Sequence, residues 1–433
     1  SFVKVGPMQR NLSVADAQQA ILNAVFPLAA ETIAVVDAQG RVLAEDVLSG
    51  RTLPPADCSA MDGYAVKSAE TAAASDTNPT GLSVAFEVAA GGTADCPLQP
   101  GQAARIFTGA PIPPGADAVV MQEHVQAQGN TIAIATPVAS GNHIRLAGEE
   151  LSVGDKVLEA GATIRPAVMG LLASLGRSVI SVVRRPRVAI LSSGDELVEP
   201  DGDIAGGRIV SSNSYTLSAM CREIGAEPMY LGIARDKPEY LEAHMRAGLA
   251  ADCIVTSAGV SVGDHDHVKG VLAKLGCEIN FWGVQMKPGH PMVFGRFPTG
   301  AATDMGGAFV FGLPGNPVSA AVTFEQFVRP ALLKMSGVRN CFRPTVAARL
   351  RTPLKKRPGR LTFVRVQLEY EDGELWASST GNQSSGVFRS MSEAQGLLVF
   401  PGPDSELLEG HDVTVQVVDD GFFAGADRGF EGI

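Results

Sequence analysis

Residues 307–328 read GAFVFGLPGNPVSAAVTFEQFV, two mainly apolar runs joined by a turn. The first run is short and aromatic, as is typical of a buried strand. Pro314 and Gly315 favour a turn, and the second run has the spacing of a helix that continues through Phe327. The stretch therefore predicts strand, turn and helix.

The start of that helix has residues suited to its position. Asn316 is favoured at the N-cap, and Pro317 fits the first helical position, where an N–H is not needed. Free amides and the positive end of the helix dipole would suit an oxyanion. A well-made helix start without a ligand fits the segment equally well.

The same order occurs twice more upstream. RVAILSSGDE at 187–196 and CIVTSAGVSVGD at 253–264 are apolar runs that end in Gly-rich turns, with helical stretches between the runs. This repetition predicts a parallel sheet with helices on both faces. Ligands bind at the carboxyl ends of such strands, so we expect the three turns to converge on one crevice.

Acidic residues follow these strands: Glu196 after the first, Asp236 in GIARD, and Asp266 after the turn that contains Ser257 and Gly259. Glycines allow a phosphate to approach the backbone, and carboxylates beside a phosphate commonly hold Mg²⁺. The pattern predicts a divalent-cation site. A solvated acidic rim is the alternative.

The other regions differ in pattern. Residues 49–154 carry short apolar runs broken by Gly, Pro and Asn, which predicts a mostly β domain. From residue 342 the chain alternates apolar and polar residues, which predicts a small β sandwich or barrel. Ser13 with Asp16 predicts the start of an N-terminal helix that Pro27 ends.

Composition excludes several classes of protein. The net charge of −11 argues against non-specific nucleic-acid binding, so an anionic ligand would need a local basic pocket. The six cysteines form no C-x-x-C pair, which gives little support to a zinc or redox site. Without a signal pattern or a long apolar span, we expect a soluble, cytoplasmic protein with no membrane contact.

Eight segments together resemble the molybdopterin molybdotransferase (molybdenum insertase) family, to which the E domain of gephyrin is related. They lie in order across residues 10–420: SAMDGYAV, FTGAPIPPGADAVVMQE, SSGDEL, GIARD, SAGVSVGDHD, MKPGHP, GLPGNPVSA and PGRLTFVR. The pairing of SAMDGYA with GLPGNPVSA is specific to this family.

The resemblance implies an α/β plus β, multi-domain, elongated subunit. The expected parts are a doubly wound domain (1–28 and 182–341), a linking domain (29–48 and 155–181), a mostly β domain (49–154) and a C-terminal β domain (342–433). It also implies a homodimer, with the active crevice between the doubly wound domain of one subunit and the β domain of the other.

The implied reaction converts adenylated molybdopterin and molybdate into molybdenum cofactor and AMP, with Mg²⁺. A molybdopterin adenylyltransferase and cofactor-acceptor proteins are the expected partners. The implied catalytic residues are Asp62, Thr108, Glu196, Asp236 and Asp266, of which the last three would hold the metal. The expected substrate-binding residues are Arg145, Ser257, Gly259, Lys287, His290, Pro314, Asn316, Pro317, Ser319, Arg365 and Ser385. A molybdopterin adenylyltransferase and a non-catalytic gephyrin-like scaffold are the alternatives.

The chain departs from the family pattern at basic positions. His290 replaces the second lysine of K-P-G-K-P, and Gly283 replaces a lysine upstream. Leu146 and Ala147 follow Arg145 where a basic run is usual. Further departures are Glu150 where Asp is common, and SAG for S-G-G at 257–259. We expect a less basic anion pocket, in which a neutral His290 can still donate a hydrogen bond.

Overall fold

The computed structural model of the protein describes residues 8–257, 267–298 and 307–424. The chain forms two compact units: residues 1–44, 161–165 and 179–433 form one, and residues 45–160 and 166–178 form the other. The boundaries of the four expected domains stay a prediction.

The first unit contains a seven-stranded sheet. Its strands, in spatial order, are Gln9–Leu12, Glu278–Val284, Val293–Arg296, Phe309–Leu313, Cys253–Ser257, Arg187–Ser193 and Glu227–Ala234. All pairings are parallel except those of Val293–Arg296, which is antiparallel to both neighbours. The sheet is therefore mainly parallel, as predicted, with one antiparallel strand that the sequence pattern did not indicate. The link from Val284 to Val293 is shorter than the dozen or more residues that a parallel crossover needs.

Helices cover both faces of the sheet, as predicted. Val188 and Ile190 belong to one apolar core, and Ala189 and Leu191 to the other, because successive strand residues face opposite sides. One face is covered by Val14–Ala24, Ser212–Glu223 and the helical run of Pro317–Thr323, the π-turn Phe324–Val328 and Arg329–Met335. The other face is covered by Pro238–Gly248 and His267–Lys274.

The helical run continues through Phe327, as predicted, and extends further to Met335, which the sequence pattern did not indicate. Pro330 has no N–H, which deprives the carbonyl of Gln326 of its usual helical donor. The Nε2 atom of Gln18 donates to that carbonyl at 3.1 Å instead. The helix therefore continues through the proline with help from the N-terminal helix.

The C-terminal part of this unit is a barrel. Its strands are Thr345–Leu350, Leu361–Glu371, Glu374–Ser379, Gly396–Phe400 and Asp412–Val417. Leu361–Glu371 pairs with both Glu374–Ser379 and Gly396–Phe400, which closes the ring of strands. Of the two predicted β architectures, the barrel is the one formed. Met286–Lys287 extends this sheet by pairing in parallel with Leu361 and Thr362.

Short elements complete the first unit. They are the ribbons Ala30–Ala34 with Val179–Val183, Leu197–Val198 with Ile209–Val210 and Leu354–Lys355 with Glu406–Leu407, and the helix Arg389–Ser392.

The second unit is mostly β, as predicted. Its six-stranded sheet has the spatial order Ala118–Met121, Gly63–Val66, Gln102–Ile106, Thr80–Val88, Thr131–Ile134 and Val125–Gln128. Neighbouring strand residues such as Ala65 and Val66 lie in separate apolar clusters. The unit also contains the ribbons Cys58–Ser59 with Ile144–Arg145 and Val47–Leu48 with Lys156–Leu158, and the helix Pro166–Ser174. Among the described residues of the whole chain, no helix combines the length and apolarity of a membrane span.

Candidate functional site

A cavity of about 610 Å³ lies at the carboxyl ends of three neighbouring sheet strands. We call it the strand-end cavity. Ser192 lines it from the first strand, Ser257 from the second, and Pro314 from the turn after the third. The ends of the three strands therefore meet at one cavity, whereas the second turn, after Ser257, lies outside the described residues.

Buried serine hydroxyls form a chain at this cavity. The Oγ atom of Ser192 lies 2.9 Å from Ser214 Oγ and 3.0 Å from Ser257 Oγ, and Ser211 Oγ lies 2.7 Å from Ser214 Oγ. Ser192, Ser211 and Ser257 also line the cavity. Each hydroxyl can donate and accept, so the chain can match either kind of ligand atom.

The structure describes two of the three carboxylate residues that were predicted to bind the metal. Glu196 lines the strand-end cavity, and the amide of Asp236 donates to Asp195 Oδ1 at 3.2 Å in the adjoining loop. Asp266 and Gly259 lie outside the described residues. Within the described ranges, no group of three or more His, Cys, Asp or Glu residues could hold a metal. The donor type still fits Mg²⁺, which prefers oxygen ligands and is commonly held by one or two carboxylates with water and phosphate.

The start of the helix differs from the expectation. Asn316 occupies the N-cap position and Pro317 the first turn, but the Asn316 side chain makes no capping bond. Its Nδ2 atom donates instead to Ser385 Oγ at 3.0 Å, and the Val318 amide donates to the Ser385 carbonyl at 3.2 Å. Asn316 therefore takes the predicted N-cap position without a capping bond, and at least one helix amide is not free for a ligand.

A second cavity of about 590 Å³ is lined by five of the residues expected to bind substrate. We call it the basic cavity. Lys287, His290, Ser319, Arg365 and Ser385 all line it. Its further cationic residues are Lys355, Lys356 and Arg360. Among the described lining residues none is acidic, so the cavity can attract an anion despite the net negative charge of the chain.

Arg365 is fixed in the wall of the basic cavity. Only 1% of its surface is exposed, its Nε donates to Ser390 Oγ at 3.0 Å, and its Nη2 donates to the carbonyls of Asn382 and Ser384 at 3.2 Å each. Burial lowers the pKa of Arg365. Nη1 makes no hydrogen bond to a described residue, which leaves a donor for an anion.

Lys287 brings a second positive charge. It is exposed, and no carboxylate in the described ranges forms an ion pair with it. The following turn requires glycine, because Gly289 has a φ of +106° and a Cβ there would lie 2.4 Å from Thr323 Oγ1. Gly289 thus allows the loop with Lys287 to pack against the helix.

The structure explains the departures at His290 and Gly283. His290 Nδ1 lies 2.8 Å from the carbonyl of Val284, which can only accept, so Nδ1 carries the proton. A neutral ring then has no N–H left for an anion, and the expectation that it donates to the ligand is wrong. Gly283 has a φ of +83°, and a Cβ there would lie 2.7 Å from Asn11 Oδ1, so a lysine does not fit this backbone.

In the second unit, Asp62 and Thr108 form a hydrogen-bonded pair. The Thr108 amide and hydroxyl each donate to Asp62 Oδ1 at 2.8 Å. These two bonds, with a smaller contribution from the charge of Arg105, lower the pKa of Asp62. Arg145 lies at a strand end, with ion pairs to Glu149 at 3.9 Å and Glu150 at 3.4 Å.

Sequence reasoning missed several lining residues. Ser192 lies in the RVAILSSGDE run and Ser211 in a segment without a recognised motif, and neither was predicted to line a site. Lys355 and Lys356 lie just before the PGRLTFVR motif. The LKKRPGR run, with four cations in seven residues, was the available signal for the lysines.

The chain combines a doubly wound domain with further β domains, and its strand-end cavity adjoins the basic cavity. These features are typical of a multi-domain enzyme for anionic substrates. Family models match three regions: the MoeA N-terminal region (domain I and II) at residues 12–176, a probable molybdopterin binding domain at 189–334, and the MoeA C-terminal region (domain IV) at 347–418.

Named relatives agree with these matches. The chain is 38% identical to the molybdopterin molybdenumtransferase of Nostoc over 93% of both chains, and 37% identical to that of Haemophilus influenzae over 90% of this chain and 94% of the relative. A crystal structure of the molybdopterin biosynthesis MoeA protein of Pyrococcus horikoshii has a TM-score of 0.80 and 29% identity, covering 96% of this chain and all of the other. The chain belongs to the MoeA family.

Proposed function

We propose that the protein is a molybdopterin molybdenumtransferase, which transfers molybdenum from molybdate to adenylated molybdopterin with release of AMP. One observation carries the proposal: a strand-end cavity rich in hydroxyls adjoins a cavity rich in cations. Pro291 lines both cavities. Of two consecutive residues, Ser385 lines the basic cavity and Gly386 the strand-end cavity. This arrangement suits two ligands that must react with each other.

In this proposal the basic cavity binds molybdate. The Lys287 ammonium attracts the dianion, the fixed guanidinium of Arg365 orients it, and the Ser385 hydroxyl donates a further hydrogen bond. When the oxyanion is bound near the pterin, the two substrates no longer have to meet by diffusion, and this lowers the entropic cost of the reaction.

The strand-end cavity binds the adenylated pterin and its phosphates through serine hydroxyls and the loop at Pro314–Pro317. Glu196, Asp236 and Asp266 are the proposed Mg²⁺ residues. Bound Mg²⁺ would supply Lewis acidity at the phosphoanhydride. Asp62, held by Thr108, and Arg145 are the proposed active-site residues of the second unit.

Insertion proceeds by exchange of oxo ligands on molybdenum, coupled to hydrolytic loss of AMP. The dithiolene sulfurs supply the metal ligands, so the reaction needs no protein thiolate. The cysteines of the first unit support this assignment, because burial raises the pKa of Cys221 and of Cys277 to about 12 and keeps them protonated.

We also propose a cytoplasmic homodimer. All six cysteines are free, which suits a reducing compartment. Sedimentation equilibrium should give twice the chain mass; a monomer mass at micromolar concentration would contradict the dimer. A molybdopterin adenylyltransferase that supplies the substrate, and cofactor-accepting enzymes, are the proposed partner proteins.

The decisive test incubates the protein with adenylated molybdopterin, Mg²⁺ and increasing molybdate, and measures AMP and bound molybdenum. Lys287→Ala should raise the molybdate concentration for half-maximal AMP release by about tenfold, because one unpaired positive charge is lost from the cavity. Lys274→Ala is the matched control, since Lys274 is exposed and paired with Glu242 at 2.6 Å. An unchanged molybdate dependence for Lys287→Ala would remove that residue from the site, and absence of AMP release by the unaltered protein would refute the function.

A further inference from the structure

The wall of the basic cavity contains a lysine with an unusual set of contacts. Lys356 Nζ donates to the carbonyl of Gly402 at 3.0 Å and to that of Arg360 at 3.2 Å. It also lies 4.8 Å from the centre of the Phe400 ring, where the face of the ring stabilises a cation. The ammonium is thus held in place on the cavity wall.

These contacts leave part of the ammonium available. A lysine ammonium has three N–H donors, and the two carbonyls account for two of them. Neither carbonyl carries a formal charge, so the positive charge of Lys356 is not neutralised by them. Asp404 acts on it electrostatically but forms no ion pair with it.

The neighbouring lysine provides a contrast. Lys355 lines the same cavity, but its Nζ lies 2.9 Å from Glu406 Oε1 and its side chain is 75% exposed. Its charge is compensated by that carboxylate and screened by water. Two adjacent lysines therefore differ in the charge that they present to the cavity.

Desolvation lowers the pKa of Lys356, against the opposing effect of Asp404. This direction means that its surroundings do not fully compensate the charged form. An anion in the cavity would supply the missing compensation, as expected for a cation at a binding site.

We propose that Lys356 is a further anion-binding residue of the basic cavity, which contributes its third N–H and its uncompensated charge to binding of the tetrahedral oxyanion substrate. This inference rests on the proposed function. Lys356 also positions the next cation, because its bond to the Arg360 carbonyl fixes the turn through Gly359, whose amide donates to the Gly402 carbonyl at 2.8 Å.

The test measures equilibrium binding of molybdate to the full chain by dialysis and metal analysis, at fixed ionic strength. Lys356→Gln should raise the dissociation constant about five- to tenfold, as expected for loss of one partly screened charge. Lys355→Gln should change it by less than about twofold, and Lys356→Arg should retain most of the affinity. An unchanged constant for Lys356→Gln would overturn the inference. Failure of the unaltered protein to bind molybdate would instead refute the proposed function.

A measurement on the unaltered protein covers the case in which Lys356→Gln perturbs the fold. Saturating molybdate should slow acetylation of Lys356 by a mild acylating reagent at least about fivefold, because the third N–H is engaged, and should leave Lys355 unaffected. Peptide mass spectrometry gives both rates. Equal Lys356 rates with and without molybdate would overturn the inference, whatever the variants do.

Discussion

Asp62 receives two hydrogen bonds from Thr108, and this fixes both its position and its charge. Both bonds favour the carboxylate, so its pKa lies below the usual 3.8. A lowered pKa means that the group stays ionised at neutral pH and loses its charge only as pH falls through the lowered value. Any acid limb that Asp62 contributes to a pH–rate profile should therefore lie below pH 3.8.

Asp62→Asn should reduce AMP release by about 100-fold or more, because the amide keeps the shape of the side chain but loses its charge and its basicity. Initial rates with saturating molybdate and adenylated pterin give the comparison. Asp76→Asn, at an exposed position in the same unit, is the control and should leave the rate unchanged. Normal turnover by Asp62→Asn would exclude a catalytic role for the carboxylate.

His290 has its Nδ1 proton engaged by the carbonyl of Val284, so a neutral ring offers an anion only the lone pair of Nε2. His290→Lys replaces that lone pair with an ammonium in the basic cavity. We expect molybdate to bind about fivefold more tightly to this variant. His290→Asn, which can still donate to Val284, should not gain affinity. Equal dissociation constants for the Lys and Asn variants would contradict this account of the departure.

At the scale of elements, the side chain of Gln18 links the N-terminal helix to the helical run 317–335. Gln18 donates to the Gln326 carbonyl that Pro330 leaves without a helical donor. Gln18→Ala leaves this buried carbonyl unpaired, and should lower the stability of the first unit by about 1–2 kcal/mol.

Differential scanning calorimetry would detect this loss as a lower midpoint of the transition. Gln19→Ala is the matched control, since Gln19 is exposed and its side chain bonds, among the described residues, only to Asn23 of the same helix. A similar shift for both variants would show that the effect comes from helix propensity or lost surface contacts and not from the Gln326 carbonyl.

The strand–turn–helix units could be predicted because apolar runs and Gly-Pro turns are local signals. The reversed strand Val293–Arg296 could not, since its direction depends on the short link that precedes it and on pairing with Phe309–Leu313. The end of the helix was missed for the same reason. The donor that replaces the N–H of Pro330 comes from Gln18, 308 positions before the accepting Gln326.

The sequence predicted which residues belong to the site better than it predicted their contacts. The family resemblance implied that Lys287, Arg365 and Ser385 bind substrate, and these residues line one cavity. The tautomer of His290, the bond between Asn316 and Ser385 and the contacts of Lys356 depend on which backbone groups lie nearby. A pattern of residue types does not contain that information, so these features required coordinates.

At the scale of the whole molecule, the negative net charge and the basic cavity are compatible because the charges are unevenly distributed. Charged side chains also form buried ion pairs, which connect separate elements of the first unit. Arg343, just before the barrel, contacts Glu325 of the helical run at 3.0 Å and Glu223 of a second helix at 2.6 Å. The side chains of Arg343 and Glu325 are 5% and 4% exposed.

Arg343→Met should destabilise the first unit by about 3–5 kcal/mol, because Glu325 keeps only a longer contact with Arg329, at 3.7 Å. Adding Glu325→Leu to this variant should recover part of the loss, since it removes the uncompensated carboxylate, while Arg329 loses its contact of 3.7 Å with that group. Arg349→Met is the control for an exposed ion pair and should cost less than about 1 kcal/mol. The measurement compares the calorimetric midpoints of the single and double variants. If the double variant is no more stable than Arg343→Met alone, the loss comes from packing of the arginine side chain and not from an unpaired buried carboxylate.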